Sequence, residues 1–255
     1  MDLGFAWLGQ MLAKYLSARR HMHIAGPITG SAQLRALLQP GDVLLVEGDS
    51  RVSVAVKYLT QSTWSHAALY VGNCMPAKLA SDGHCFIEAD IVEGVRSVGP
   101  EEFQGLHTRI CRPIGIDAEK TKALCQFVID RLGYQYDMAN VLDLARYLFP
   151  LPPVPTRFRR RMLALGSGDP SRVICSTLIA QAFESIQYPI LPIIGVQSID
   201  SPECPGCVQE ILHIRHYSLY TPRDFDVSNY FQIINPAHAF GFDYRRLNWH
   251  HGEAA

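Results

Sequence analysis

The sequence predicts an α+β fold in which a small, mostly antiparallel sheet packs against helices. Short strand-like segments fill the first half of the chain, at residues 43–46, 64–72, 85–89, 94–98 and 107–112. Helical patterns follow, over 118–132 behind a capping Asp117 and from Cys175 to about Ile186. A run of strands followed by helices is typical of α+β folds, whereas alternating strands and helices indicate a doubly wound α/β fold.

Composition and charge place the chain among ordinary globular proteins. It has 255 residues, of which 48% are hydrophobic and 18% are charged, and this balance excludes a disordered class. A formal net charge of -1 gives no overall attraction to nucleic acid or to an anionic membrane. The basic cluster at residues 157–161 is a local exception. It fits either a solvated loop or a contact for an acidic or phosphate-bearing substrate.

The seven cysteines predict a reducing, cytoplasmic setting, because an odd number spread through the chain does not resemble a secreted disulfide framework. We expect neither a secretory signal nor a spanning helix, since no apolar run reaches 18 residues. Residues 3–20 form an amphipathic helical pattern. That helix fits a peripheral membrane anchor with interfacial Trp7, or packing on the protein's own core or on a second subunit.

The chain is accordingly divided into three parts. Residues 1–25 are the amphipathic helix, residues 26–190 are the catalytic domain, and residues 191–255 are a C-terminal extension packed on the same domain. The segment 149–170, rich in Pro, Arg and Gly, is predicted to be a long irregular excursion.

Three side chains have the chemistry that a cysteine hydrolase requires, namely a thiol, a base and a group that orients the base. Cys175 opens a helix, where the positive end of the helix dipole favours a thiolate, although an inert core thiol fits the same pattern. His66 lies on an apolar strand and is either the base or a core histidine bonded to a carbonyl. Glu88 on the next strand either orients His66 or faces solvent, because period-two alternation permits both faces.

The combination resembles the YiiX/YebB-like permuted papain-fold amidases, which are related to the NlpC-type peptidases and to lecithin:retinol acyltransferase. Five stretches carry the resemblance: Pro40-Gly-Asp-Val-Leu-Leu45, Trp64-Ser-His-Ala-Ala-Leu-Tyr-Val-Gly72, Phe86-Ile-Glu-Ala89, Gly133-Tyr-Gln-Tyr-Asp137 and Ile174-Cys-Ser-Thr-Leu-Ile179. The resemblance implies a permuted papain-like (NlpC-type) fold, and circular permutation explains why the histidine precedes the cysteine.

The resemblance also implies roles. Cys175 is the nucleophile, His66 the general base and Glu88 the orienting acid, and Tyr136 lines the oxyanion site unless its ring is only core packing. The implied activity is hydrolysis or acyl transfer at an amide or ester bond. A lipid-like substrate is favoured by residues 3–20 and by the apolar, Pro-rich segment 148–155, whereas a peptidase or isopeptidase acting on peptide amides is an alternative.

Two further hypotheses remain beside the enzyme. One is a non-enzymatic interaction protein on a papain-like scaffold, against which the complete set of three catalytic groups argues. The other is a structural zinc site, compatible with catalysis, with the ligands Cys204, Cys207, His213 and His216. The alternative for Cys204-Pro-Gly-Cys207 is a Pro-Gly turn that carries two free thiols or a local disulfide.

Overall fold

A computed structural model describes residues 30–135, 174–201, 204–235, 243 and 245. The helices are α1 (Ser31–Leu37), α2 (Arg51–Thr60), α3 (Ala77–Ser81), α4 (Ala118–Ile129), α5 (Ile174–Ser185) and α6 (Pro222–Asp226). The strands are β1 (Val43–Glu47), β2 (His66–Tyr70), β3 (Phe86–Asp90), β4 (Gly94–Val98), β5 (His107–Pro113), β6 (Ile193–Ser201), β7 (Cys204–His213) and β8 (Phe231–Ile234). Short 3-10 turns lie at Gly72–Cys74, Pro100–Phe103 and Tyr217–Leu219.

The main sheet has six strands in the order β4-β3-β2-β1-β5-β8, and every neighbouring pair is antiparallel. Strand β8 comes from the C-terminal segment and pairs with β5, so residues beyond 190 complete the sheet. Strands β6 and β7 form a separate two-stranded ribbon. The α+β prediction with a small antiparallel sheet is confirmed, while the proposed division into three parts stays a prediction.

Apolar side chains cover both faces of the sheet because neighbouring residues on a strand point to opposite sides. On β1, Val43 and Leu45 enter the larger core, beneath α4 and α5, whereas Leu44 and Val46 enter a smaller core. The smaller core also takes residues from α1 and from the 3-10 turn Pro100–Phe103. A continuous apolar run therefore forms a strand that is buried on both faces, which explains the pattern at residues 43–46.

Helix α4 begins where the sequence predicts, because the Asp117 side chain accepts a hydrogen bond from the backbone N–H of Lys120 at 2.7 Å. It ends at Ile129, three residues before the predicted end. The chain turns there because Gly133 donates its N–H to Val95 O at 2.8 Å and Val95 donates in return to Tyr134 O at 2.9 Å. These bonds fasten the end of α4 to β4.

The predicted Pro-Gly turn at residues 204–207 is wrong, because these residues belong to strand β7. Cys207 pairs with Ile199 and Cys204 pairs with Ser201, and the register shifts between those two pairs. An irregularity of this kind leaves residues out of the ladder, so the missing N–H of a proline costs no strand hydrogen bond there.

No described helix is long and apolar enough to cross a membrane. The predicted helix at residues 3–20 and the predicted irregular segment 149–170 lie outside the described residues.

We expect Phe183→Ala to lower the free energy of unfolding by about 3–5 kcal/mol, because it leaves a cavity in the larger core. Phe183 of α5 is fully buried, and its ring centroid lies 5.2 Å from that of Phe231 and 5.4 Å from that of Tyr188. Urea unfolding followed by circular dichroism measures the change. The control Val227→Ala, at an exposed position, should change stability by no more than about 0.5 kcal/mol. Equal losses in the two variants would contradict this view of the core.

Candidate active site

His66 and Glu88 lie on neighbouring strands and are hydrogen-bonded to each other. His66 is the first residue of β2, and Glu88 is on β3, opposite Ala68 in the ladder. The Nε2–H of His66 donates to Glu88 Oε2 at 2.7 Å. The side chain of Glu88 is only 3% exposed, whereas that of His66 is 26% exposed. The sequence left two faces open for Glu88, and the β2–β3 register places it on the side of His66.

Cys175 reaches His66 from α5, the helix that packs on β2 and β3. It is the second residue of that helix and is buried. The thiol lies within hydrogen-bonding range of the His66 ring. Since Nε2 is engaged by Glu88, Nδ1 is the ring nitrogen left for the sulfur. The first backbone N–H groups of a helix have no partner within the helix, and a helix start is therefore a general site for anions.

The start of α5 is held against the domain from two sides. Ser176, next to Cys175, donates its hydroxyl to the backbone oxygen of Tyr220 at 2.7 Å. Leu178, Ile179 and Phe183 on the same helix are buried in the larger core. These contacts determine where the thiol stands relative to His66, because a helix that is fixed by its apolar face cannot rotate without exposing that face.

Two opposing effects set the pKa of His66. Burial lowers this pKa, but the charges of Cys175 and Glu88 and their hydrogen bonds to the ring outweigh burial. The pKa of His66 is therefore raised well above 6.5, and the ring carries a proton at neutral pH. In general, a protonated imidazole next to a thiol favours the thiolate form of that thiol, because the positive ring stabilises the negative sulfur.

Glu88 keeps its negative charge in spite of its burial. Burial raises its pKa, but His66 and Arg96 lower it by more, so the pKa of Glu88 lies below 4.5. Arg96 is on β4, directly opposite Glu88. Its Nε donates to Glu88 Oε1 at 2.9 Å, and its Nη2 lies 2.7 Å from the same oxygen.

The sequence interpretation did not single out Arg96. In the structure, Asp90 and Gly94 close a tight hairpin whose register makes Glu88 and Arg96 cross-strand partners. Gly94 has a φ of 77° and lies so close to Tyr134 O that a Cβ would clash with that oxygen. Only glycine meets both conditions, so Gly94 marks the turn in the sequence, although it does not reveal the register of the two strands.

The other predicted site residues are only partly described. Tyr136, the basic cluster 157–161 and the segment 148–155 lie outside the described residues. His213 lies against Gly195 on the ribbon, and His216 stacks on Tyr217 with ring centroids 4.1 Å apart. Among the described side chains no three histidine, cysteine or acidic groups converge as metal ligands. The zinc hypothesis stays a prediction, which the metal content of the purified protein would test.

Comparison with known families gives a match over the strand-rich half of the chain. Residues 37–149 match the family model described as the permuted papain-like amidase enzyme, YaeF/YiiX, C92 family. The resemblance to YiiX-like permuted papain-fold amidases is therefore confirmed for this segment, which supports a cysteine hydrolase of the amidase or peptidase kind. The matched segment contains His66, Glu88 and Arg96 and ends before Cys175. No curated protein matches the chain.

We expect His66 to remain protonated well above pH 6.5 in the wild-type protein, and Glu88→Gln and Cys175→Ser each to lower its pKa, because each removes a negative neighbour. NMR titration of labelled histidine measures the pKa directly. A charged His66 stabilises the fold fully below about pH 6.5, and this contribution is lost as pH rises through the folded-state pKa. A wild-type pKa at or below 6.5 would contradict the charge arrangement described above.

Proposed function

We propose that the chain, as a relative of the permuted papain-like amidases, hydrolyses amide bonds with Cys175 as nucleophile, His66 as general acid and base, and Glu88 as the orienting carboxylate. The observation that carries this proposal is the continuous contact from the Cys175 thiol through the His66 ring to Glu88. The nucleophile, base and orienting group of a cysteine hydrolase meet in this way whatever their order along the chain.

In the first half of the reaction, the Cys175 thiolate attacks the amide carbonyl carbon and forms a carbon–sulfur bond. The carbonyl electron pair moves onto the oxygen, and we expect the backbone N–H of Cys175 at the helix start to stabilise that oxygen. The His66 imidazolium then gives its proton to the amide nitrogen, the carbon–nitrogen bond breaks, and the amine leaves. A thioester on Cys175 and a neutral His66 remain.

In the second half, neutral His66 removes a proton from water as the water oxygen attacks the thioester. The carbon–sulfur bond breaks, the thiolate returns, and a carboxylic acid is released while His66 is again charged. Glu88 keeps the Nε2–H in place through both halves, because it accepts that hydrogen and is held ionised. An amine or alcohol in place of water would make the same intermediate serve acyl transfer.

The alternative of a non-enzymatic protein on a papain-like scaffold is disfavoured, because burying the groups of this site costs free energy of folding. Burying a carboxylate, a histidine and a thiol against one another is expensive, and replacing such groups by apolar residues is often neutral or stabilising. A binding module has no need of a charged histidine that contacts a thiol at a helix start. The complete set of charged groups therefore supports catalysis.

The acyl group is the open part of the proposal. A lipid amide or ester would fit the apolar segments at residues 3–20 and 148–155, which lie outside the described residues. Peptide amides are the alternative, in keeping with the amidase and peptidase character of the matched family. A parallel screen of lipid amides, esters and peptides, with wild type against Cys175→Ala, separates these classes.

We expect iodoacetamide to alkylate Cys175 faster than the other described cysteines at about pH 6, because His66 is still charged there. Burial raises the pKa of Cys85 to about 11, so only roughly one part in 10⁵ of that thiol is ionised at this pH. Peptide mass spectrometry of the labelled protein gives the rate at each cysteine. The proposal fails if Cys175 reacts no faster than Cys85.

In the substrate screen, Cys175→Ala should lower the turnover of any accepted amide by about 10³-fold or more. The matched control is Cys85→Ala, which removes a partly exposed thiol away from His66 and should leave turnover within about twofold. Turnover that survives in Cys175→Ala would show that another group is the nucleophile.

A further inference from the structure

The orienting carboxylate of the proposed triad has a second partner besides His66. Both Nε and Nη2 of Arg96 approach Glu88 Oε1, while Glu88 Oε2 accepts from His66. The two oxygens of this carboxylate therefore have different hydrogen-bond partners. One is held by the guanidinium and the other faces the imidazole, so a rotation of the carboxylate would break both sets of bonds.

The guanidinium itself is held in place by carboxylates on its outer side. Its Nη2 donates to Glu102 Oε1 at 2.9 Å, from the 3-10 turn, and its Nη1 donates to Glu93 Oε2 at 3.2 Å, from the β3–β4 turn. Each nitrogen of Arg96 thus has an acceptor. A lysine could not reproduce this arrangement, because an ammonium lacks the planar fork that makes several fixed bonds.

A second buried carboxylate, Asp42, immediately precedes β1 and is paired with a single cation, Arg112 of β5. Arg112 donates its Nε to Asp42 Oδ1 at 2.9 Å and its Nη2 to Asp42 Oδ2 at 2.7 Å. Asp42 is as deeply buried as Glu88, and burial outweighs the arginine, so the pKa of Asp42 is raised. The pKa of Glu88 is lowered because Glu88 faces two cations, His66 and Arg96. We do not expect one of these cations alone to keep the pKa of Glu88 below its usual value.

We infer that Arg96 is a positioning residue of the catalytic site, which acts through Glu88 by keeping that carboxylate ionised and aimed at His66. The inference rests on the proposed function, because it gives the triad a fourth member. The charged and titratable groups around Glu88 are His66 on β2, Arg96 on β4, Cys175 on α5 through His66, Glu102 on the 3-10 turn, and Asp90 and Glu93 at the β3–β4 turn.

The test measures Glu88 itself in wild type, Arg96→Gln and Arg96→Lys. We expect the side-chain carboxyl ¹³C resonance of Glu88 to titrate about 1–3 pH units higher in Arg96→Gln, because one nearby cation is lost. Arg96→Lys should give an intermediate value, since it keeps the charge and loses the fork. As the pH is lowered, the low-field proton resonance of His66 Nε2–H should disappear at a higher pH in Arg96→Gln than in wild type. The reason is that Glu88, once protonated, is a weak acceptor for that hydrogen.

Arg112→Gln is the matched control, because it removes an arginine from a buried carboxylate in the same sheet but away from His66. It should cost stability yet leave the Glu88 titration within about 0.3 units of wild type. The inference is overturned if Arg96→Gln leaves the Glu88 titration unchanged, or if Arg112→Gln moves it equally. If Arg96→Gln does not fold, Arg96→Lys decides the matter: a Glu88 titration above the wild-type value supports the inference, and one at the wild-type value overturns it.

A failure of the proposed function would appear separately. Glu88 and His66 titrate whether or not Cys175 is a nucleophile, so the Arg96 experiment needs no substrate. Slow alkylation of Cys175 in the wild type, together with a raised Glu88 titration in Arg96→Gln, would support the role of Arg96 and contradict the proposed hydrolase. Fast alkylation of Cys175 with an unchanged Glu88 titration in Arg96→Gln would support the hydrolase and overturn the role of Arg96.

Discussion

The site depends on one constraint, which is that the buried carboxylate of Glu88 must be compensated by positive charge on both sides. A lone ionised carboxylate in such a place would take up a proton, and breaking a buried pair by removing one partner costs about 3–5 kcal/mol. The antiparallel register meets this requirement by placing β3 between β2 and β4, so that His66 and Arg96 flank Glu88. The charge of His66, and through it the reactivity of the neighbouring thiol, follows from this placement.

The larger core serves the site as much as it serves stability. Helix α5 is fixed by apolar side chains against β2 and β3, and its first turn is tied to Tyr220. The C-terminal segment supplies that tyrosine, and it also supplies strand β8. Residues far along the chain therefore help to determine where Cys175 stands. A family match that ends at residue 149 covers the sheet half of the site, while the helix half is defined by the packing described above.

Local sequence was a good guide to the elements and to the chemical groups. The strands at residues 43–46 and 94–98, the Asp117 cap and the helix that opens at Cys175 were all predictable, because apolar spacing and cap residues act over a few neighbours. The Pro-Gly pair at residues 205–206 misled the prediction. Its preference for a turn was overridden by pairing with β6, which no local pattern reveals.

The sequence by itself determined that a helix-start cysteine, a strand histidine and a strand glutamate exist in this chain, and in what order. The tertiary structure decided that they meet. A strand presents two equivalent faces until its register is known, so the side taken by Glu88 could not be inferred from alternation alone. The role of Arg96 was hidden for the same reason, because an arginine on a short strand becomes a partner only when the hairpin sets it opposite a carboxylate.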